Sequence, residues 1–229
     1  MLYKMKYLRS LDLSCTDVEE LPYDLGINLV HLHFLGLNST PIKILPDSIC
    51  KLYSLHTLEL RKCKNLQELP KDIGSMISLT HLDISMDLTT FCMPSGIGKL
   101  SELKTLGRFN VGRHVEYAGI KELEELNNLT GEVCISGLYL CLDSMFLKKI
   151  GLEFFHAGNH RGKCFPELRE LEFRNLHELE EIQEWSEFCK DTFPVLCKVT
   201  FFNCPLLKKI PRFKYAKLRK LEIERCGAL

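Results

Sequence analysis

Residues 32–46, LHFLGLNSTPIKILP, decide how this chain folds. Leu32, Leu35 and Leu37 open the phrase, and Thr40, Ile42, Leu45 and Pro46 complete it. The same phrase stands 24 positions earlier as Leu8, Leu11, Leu13, Thr16, Val18, Leu21 and Pro22. It returns as Leu55, Leu58, Leu60, Cys63, Leu66, Leu69 and Pro70. A fourth copy keeps Leu79, Leu82, Ile84 and later Pro94, and a fifth opens on Leu103 and Leu106 before losing the pattern at Phe109. A fixed internal period of this length is the mark of a repeat architecture.

The last third of the chain carries the frame less evenly. Leu168, Leu171, Phe173, Leu176 and Leu179 make one copy. Leu196, Val199, Phe201, Cys204, Leu207 and Ile210 follow 28 positions on, and Leu218, Leu221, Ile223, Cys226 and Leu229 follow 22 after that. Two apolar residues separated by one other point to the same side of a strand. A single such strand cannot bury them alone. Copies stacked about 4.8 Å apart as parallel strands line them up as one core. The Leu-Pro pairs at 21–22, 45–46 and 69–70 mark the return path, because proline cannot continue a ladder. DSICKL after Pro46 and KDIGSM after Pro70 read as short, partly helical outer segments. Thr16, Thr40, Cys63, Cys204 and Cys226 stand where the chain leaves the strand, so a small polar side chain there is expected to satisfy a buried backbone group.

Composition narrows the function. The 229 residues include 41 leucines, and 30 basic side chains balance 30 acidic ones. A net charge of zero argues against nucleic-acid binding, which needs a basic face. The run Val133 to Leu142 is too short for a bilayer, which takes about 20 residues. The charged N-terminus is not expected to be a secretory signal. Eleven cysteines, an odd number without regular pairing, fit a reducing compartment.

LRSLDLSCTDVEELP (8–22), LPDSICKLYSLHTLELRKCKNLQELPKDIG (45–74) and MPSGIGKLSELKTLGRFNVGR (93–113) resemble the repeats of plant nucleotide-binding leucine-rich-repeat disease-resistance proteins of the coiled-coil type. GIKELEELNNLTGEVCISGL (119–138), FPELRELEF (165–173) and FPVLCKVTFFNCPLLKKIP (193–211) resemble later segments of the same family. The steps of 22 to 28 fit the range of about 20–29 residues for such repeats. The resemblance implies an α/β solenoid, a leucine-rich-repeat superhelix with parallel strands on the concave face and short helices or loops on the convex face. It further implies a cytoplasmic role in pathogen perception, through binding of a pathogen effector or host protein. A nucleotide-binding domain of the same receptor is the implied second partner. The family's P-loop is not met: GIGKL at 96–100 has Met93 for the first glycine and Leu100 for the hydroxyl residue. The family also has further repeats where only LYLCLDSMFLKK stands here, so the chain resembles a fragment or an internally deleted member. No cofactor is expected.

The expected divisions are regular repeats over 1–108, an irregular repeat and loop over 109–164, and C-terminal repeats over 165–229. In the middle segment, Ile120, Leu123 and Leu126 have helical spacing, Gly131 fits a stop signal, and Val133 and Ile135 alternate like a strand. HAGNHRGK (156–163) reads as a loop.

Recognition is expected on outward residues of the concave strands. The residue between the two core positions gives the column Asp12, Gly36, Glu59, Asp83 and Gly107, continued by Glu172, Thr200 and Glu222. Neighbouring outward positions supply Phe34, Arg61, His81, Arg174, Lys198, Phe202 and Lys220. Acidic groups stacked at this spacing repel one another and attract a basic ligand surface. Solvation of an exposed strand face explains the same charges. Phe34 and Phe202 read either as binding anchors or as rings packed over the next strand. His31 and His33 bracket core Leu32 and are expected at the solvent edge. His156, His160 and Cys164 suggest a metal or thiol site, against which stand Gly158 and Gly162. Asn38 and Asn128 open glycosylation sequons that also read as repeat positions. The sequence thus favours a non-catalytic protein-recognition module of an intracellular plant immune receptor. A stand-alone cytosolic repeat adaptor or decoy, and a metal or thiol enzyme using His156, His160 and Cys164, are the alternatives.

Overall fold

Each Leu-x-x-Leu-x-Leu phrase forms a strand and each Leu-Pro phrase forms the way back. The structure, a computed structural model, describes residues 5–84, 93–111, 118–137, 147–151, 165–183, 193–213 and 217–229. Strands β1 (Ser10–Asp12), β2 (Phe34–Gly36), β3 (Thr57–Leu60), β4 (His81–Ile84) and β5 (Thr105–Leu106) form one parallel sheet in sequence order. Leu11, Leu35, Leu58, Leu82 and Leu106 lie directly opposite one another along it. The repeat frame read from the sequence is therefore the hydrogen-bond register.

Strands β6 (Arg108–Asn110), β7 (Thr130–Ser136), β9 (Glu167–Arg174), β11 (Lys198–Phe202) and β12 (Lys220–Glu224) form a second parallel sheet. The change of sheet occurs at Gly107. Earlier copies place one residue between the core positions, as in Leu82-Asp83-Ile84, whereas Gly107 and Arg108 both stand between buried Leu106 and buried Phe109. One extra residue at this point shifts the pairing, as a bulge does. From there Phe109, Ile135, Phe173, Phe201 and Ile223 share one rung. The coil continues across the shift. The Thr130 amide donates to Lys104 O at 2.7 Å, the Cys134 amide to Gly107 O at 3.2 Å, and β7 pairs with both β6 and β9. Gly131 sits inside β7 with φ of 71°, beside a register shift at Gly131/Glu132, instead of ending the preceding helical turn. That turn is 3-10, over Ile120–Glu125.

Six strand exits share one bend. Cys15, Ser39, Lys62, Asn175, Asn203 and Arg225 all adopt left-handed φ between 54° and 59°. The small polar residues nearby meet the carbonyls this bend exposes. Thr40 Oγ1 donates to Leu37 O at 2.7 Å, Thr16 Oγ1 to Leu13 O at 2.6 Å, and the Cys63 thiol to Leu37 O at 3.0 Å. Cys204 and Cys226 make longer thiol contacts of 3.8 Å to Phe173 O and Phe201 O.

The convex side is built from short turns: an α-helical one at Leu25–Asn28, and 3-10 turns at Asp47–Lys51, Ile73–Ser75 and Ile97–Lys99. They stack backbone to backbone. A Cβ at Gly74 would lie 2.1 Å from Gly96 O, and one at Gly98 would lie 2.8 Å from Glu122 O. Glycine is required where two main chains approach this closely. On the return path a second ladder forms. Glu20, Ile44 and Glu68 bridge in parallel, and β8 (Lys149–Ile150) pairs with β10 (Glu181–Ile182).

The aliphatic rungs make one continuous core from Leu21 to Leu207. Its ends are open. Leu8, Leu11, Leu13 and Val18 are half-buried, and Leu221 and Ile223 are each 43% exposed. The last copy, expected to be core by its spacing, has no coil on its outer side among the described residues. No helix among those residues is long and apolar enough to cross a membrane.

Candidate functional site: the concave face

Outward residues of β1–β5 stack in two rows. Asp12, Gly36, Glu59 and Asp83 are register partners, as are Ser10, Phe34, Thr57, His81 and Thr105. Small residues on the floor (Thr57, Thr105, Gly107, Thr130) leave a hollow of about 850 Å³ between Phe34 at one end and Glu132 at the other. His81 Nδ1 lies 3.0 Å from Thr105 Oγ1. Phe34 is half-buried and lines the hollow. The expected mutual repulsion of the acidic column is relieved locally. Asp83 is paired with the exposed Arg61, Glu59 accepts from Asn38 Nδ2, and Asp12 accepts the Ser14 amide at 2.9 Å. The Ser14 hydrogen bonds hold the Asp12 carboxyl below its usual range. Asn38 Oδ1 also accepts the Arg61 amide at 2.8 Å, so this sequon asparagine serves the strand exit.

A second grid covers β7, β9, β11 and β12. Its rows are Glu132–Glu170–Lys198–Lys220, Cys134–Glu172–Thr200–Glu222 and Ser136–Arg174–Phe202–Glu224. Glu172, nearly buried, is ion-paired with Arg174. Lys198 lies 3.4 Å from both Glu170 and Glu222. Glu222 also accepts from Lys220 at 2.6 Å and from Thr200 Oγ1 at 3.1 Å. Lys220, then Thr200 and Lys198, pull the Glu222 carboxyl down to about 2. Phe202 serves neither of its expected roles alone: the Arg174 guanidinium lies 4.5 Å from its ring centroid and that of Arg225 lies 5.3 Å away. At such distances the ring holds cations in place. A smaller hollow of about 260 Å³ opens among Glu132, Glu170, Glu172, Arg174, Lys198 and Phe202.

Sequence reasoning placed Asp12, Phe34, Glu59, Arg61, His81 and Asp83 on one face and Glu172, Arg174, Lys198, Phe202 and Glu222 on its continuation, where they stand. It passed over Glu132 and Glu170, although each precedes a core residue (Val133, Leu171) as Lys198 precedes Val199. Arg108, 2% exposed, was hidden by the extra residue at Gly107. Arg108, Asn110 and Ser136 are buried although they stand in the outward rows, in register with Cys134 and Glu172 (Arg108) and with Arg174 (Asn110 and Ser136).

His31 and His33 are exposed and stack on Tyr7 (centroids 6.1 Å apart) and His56 (5.3 Å). The seven described cysteines are free thiols. Burial pushes those of Cys50, Cys134 and Cys204 up to about 12, far from the thiolate a nucleophile needs. His156, His160, Cys164, Cys141 and the 156–163 loop lie outside the described residues. Among those described, no group of three His, Cys, Asp or Glu side chains could hold a metal. In GIGKL, the amides of Gly96 and Gly98 donate to the Glu122 carboxylate at 3.0 and 2.9 Å, so a side chain of this protein fills the place an anion would take.

Known proteins share this architecture. A family described as leucine-rich repeat region matches residues 1–149. Disease resistance RPP13-like protein 4 of Arabidopsis thaliana is 33% identical over 129 residues, covering 54% of this chain and 15% of that protein. A putative disease resistance protein of the same plant is 40% identical over 154 residues, 67% of this chain and 10% of that one. TMV resistance protein N of Nicotiana glutinosa is 27% identical over 226 residues, 95% of this chain and 19% of that one. The chain thus spans less than a fifth of these relatives. Among solved structures, the plant peptide hormone receptor RGFR1 in complex with RGF2 superposes with a TM-score of 0.56 at 19% identity, over 93% of this chain and 37% of that one. The leucine-rich repeat domain of the type III effector XopL gives 0.54 at 20%, over 100% and 64%. These two likenesses concern the fold.

Proposed function

This chain belongs to the leucine-rich-repeat family, and from that premise we propose that it is the protein-recognition module of an intracellular plant immune receptor, binding a pathogen effector or a host protein on its concave face. The observation that carries the proposal is the unpaired face of the two parallel sheets, whose outward rows line adjoining hollows of about 850 and 260 Å³. A backbone held in register on one side presents side chains in fixed rows on the other, which suits recognition of a macromolecular surface. The names of the relatives supply the biological setting: they are disease resistance proteins. We read the module as non-catalytic, cytoplasmic and without a cofactor of its own. In a longer receptor it would also contact the nucleotide-binding domain of the same protein.

The test is an interaction screen of this chain against pathogen effectors and host proteins, repeated with variants. Thr57→Trp and Arg61→Glu on the concave face are expected to abolish a captured interaction, and Lys51→Glu on the convex side to preserve it. Interactions that survive both concave variants would overturn the assignment of this face.

A further inference from the structure

Resting on the reading of the concave face as the recognition surface, we infer that it takes a partner segment carrying a lysine or arginine, whose cation seats at Glu132 where the two hollows meet. Glu132 lines both hollows. The smaller is lined by Glu132, Glu170, Glu172, Glu222 and Glu224 against Arg174 and Lys198, five carboxylates to two cations, a balance of minus three. The cations are committed to the other carboxylates of the hollow: Arg174 to Glu172, Lys198 between Glu170 and Glu222, and Lys220, at the rim, to Glu222, which still leaves the carboxylates in excess by two. Glu132 makes no ion pair among the described residues. Desolvation, with Glu170 and Glu172 beside it, raises its carboxyl above the usual range.

The first sheet differs, its Asp83 and Glu59 already having Arg61 and Asn38. Excess negative potential is therefore local to β7 and β9, not spread along the column read from the sequence. The larger hollow, which Glu132 borders, has room over Thr105, Gly107 and Thr130 for the methylene stem that precedes a lysine or arginine head group. A charged partner group opposite such a field gains specificity and association rate. An acidic segment would meet repulsion there.

Fluorescence anisotropy with the whole chain and two labelled octapeptides, alternating Arg-Leu and alternating Glu-Leu, tests this. The arginine peptide is expected to bind at least about tenfold more tightly, and Glu132→Gln to remove most of that preference. Because the native environment disfavours the charged carboxylate, Glu132→Gln should also raise the thermal midpoint slightly, which separates lost binding from lost folding. Glu19→Gln, on the return path, should leave the preference between the two peptides unchanged. Equal binding of the two peptides, or equal effects of Glu132→Gln and Glu19→Gln, would overturn the inference. Thr105→Trp fills the larger hollow without altering charge. If it weakens both peptides while Glu132→Gln does not act, the concave face stands and the cation preference falls. If it affects neither peptide, the concave reading falls with it.

Discussion

The two sheets solve one packing problem with different side chains. In β2–β4 the inner rungs are leucine and isoleucine (Leu35, Leu58, Leu82, then Leu37, Leu60, Ile84), while β9 and β11 place phenylalanine at the second rung. The Phe173 and Phe201 rings stack with centroids 5.1 Å apart and planes 6° from parallel. Spacing differs too. Leu35 and Leu58, 23 positions apart, are register partners, and so are Leu171 and Val199, 28 apart, and Val199 and Leu221, 22 apart. Register is thus set by the buried rung and the strand bonds, and the return path absorbs the difference in length. Loop length costs little entropy per added residue, whereas a one-residue slip would turn every rung to solvent.

If interior rungs hold the register, removing one should be the most damaging single change. Leu58→Ala is expected to lower stability by about 2–5 kcal/mol in chemical denaturation. Ile223→Ala, on the open last strand at 43% exposure, should cost well under half as much. Equal losses would mean that the terminal coil is as well packed as the centre, against its exposed rung.

The convex side of the first sheet sharpens the contrast, because there backbones and not side chains make the contact. Gly74→Ala, whose Cβ would fall 2.1 Å from Gly96 O, is expected to cost about 1–3 kcal/mol. Gly119→Ala, where nothing lies within 4 Å, should stay within about 0.5 kcal/mol. A harmless Gly74→Ala would show that the turns can separate without disturbing the strands. A smaller effect is expected at the strand exits. Thr40→Val, removing a buried hydroxyl from Leu37 O, should cost about 1–2 kcal/mol, and Thr16→Val, in the half-open first coil, less.

The rungs and exits were legible in the sequence because each is a local rule repeated. Leu32-x-x-Leu35-x-Leu37 states strand alternation outright, and Thr40 and Cys63 fall where a buried carbonyl needs a donor. What could not be read is what depends on contacts between copies. Glu122 reaching back to the amides of Gly96 and Gly98, 26 and 24 residues away, leaves no local trace. The shift at Gly107 was visible as a loss of pattern at Phe109, yet its meaning, a change of sheet with Arg108 buried, required the partner strand. On the concave face the positions of the outward residues followed from alternation, but their charge balance did not. Arg61 follows the end of β3 and Asp83 lies on β4, and only the register shows that they neutralise each other.

The firmness of the charge ladder on the second sheet shows most finely in acid. Glu222 is held by Lys220, Thr200 and Lys198 and drawn down to about 2, whereas Glu19, near the start of the chain, is lowered chiefly by Lys43. A carboxylate whose folded pKa lies below its unfolded value stabilises the fold above the unfolded value and loses that contribution as pH falls through the folded one. The thermal midpoint of the unmodified chain minus that of Glu222→Gln should therefore be constant above about pH 4.5 and shrink toward pH 2. The same difference for Glu19→Gln should be smaller and vanish at higher pH, because one exposed lysine in solvent holds a carboxylate less firmly than three donors arranged across adjacent strands. Other acid-sensitive groups are common to each pair of proteins and cancel in the subtraction. Identical profiles for the two variants would show that the ladder around Glu222 is no more than a set of independent surface pairs, no firmer than the Glu19–Lys43 pair on the return path.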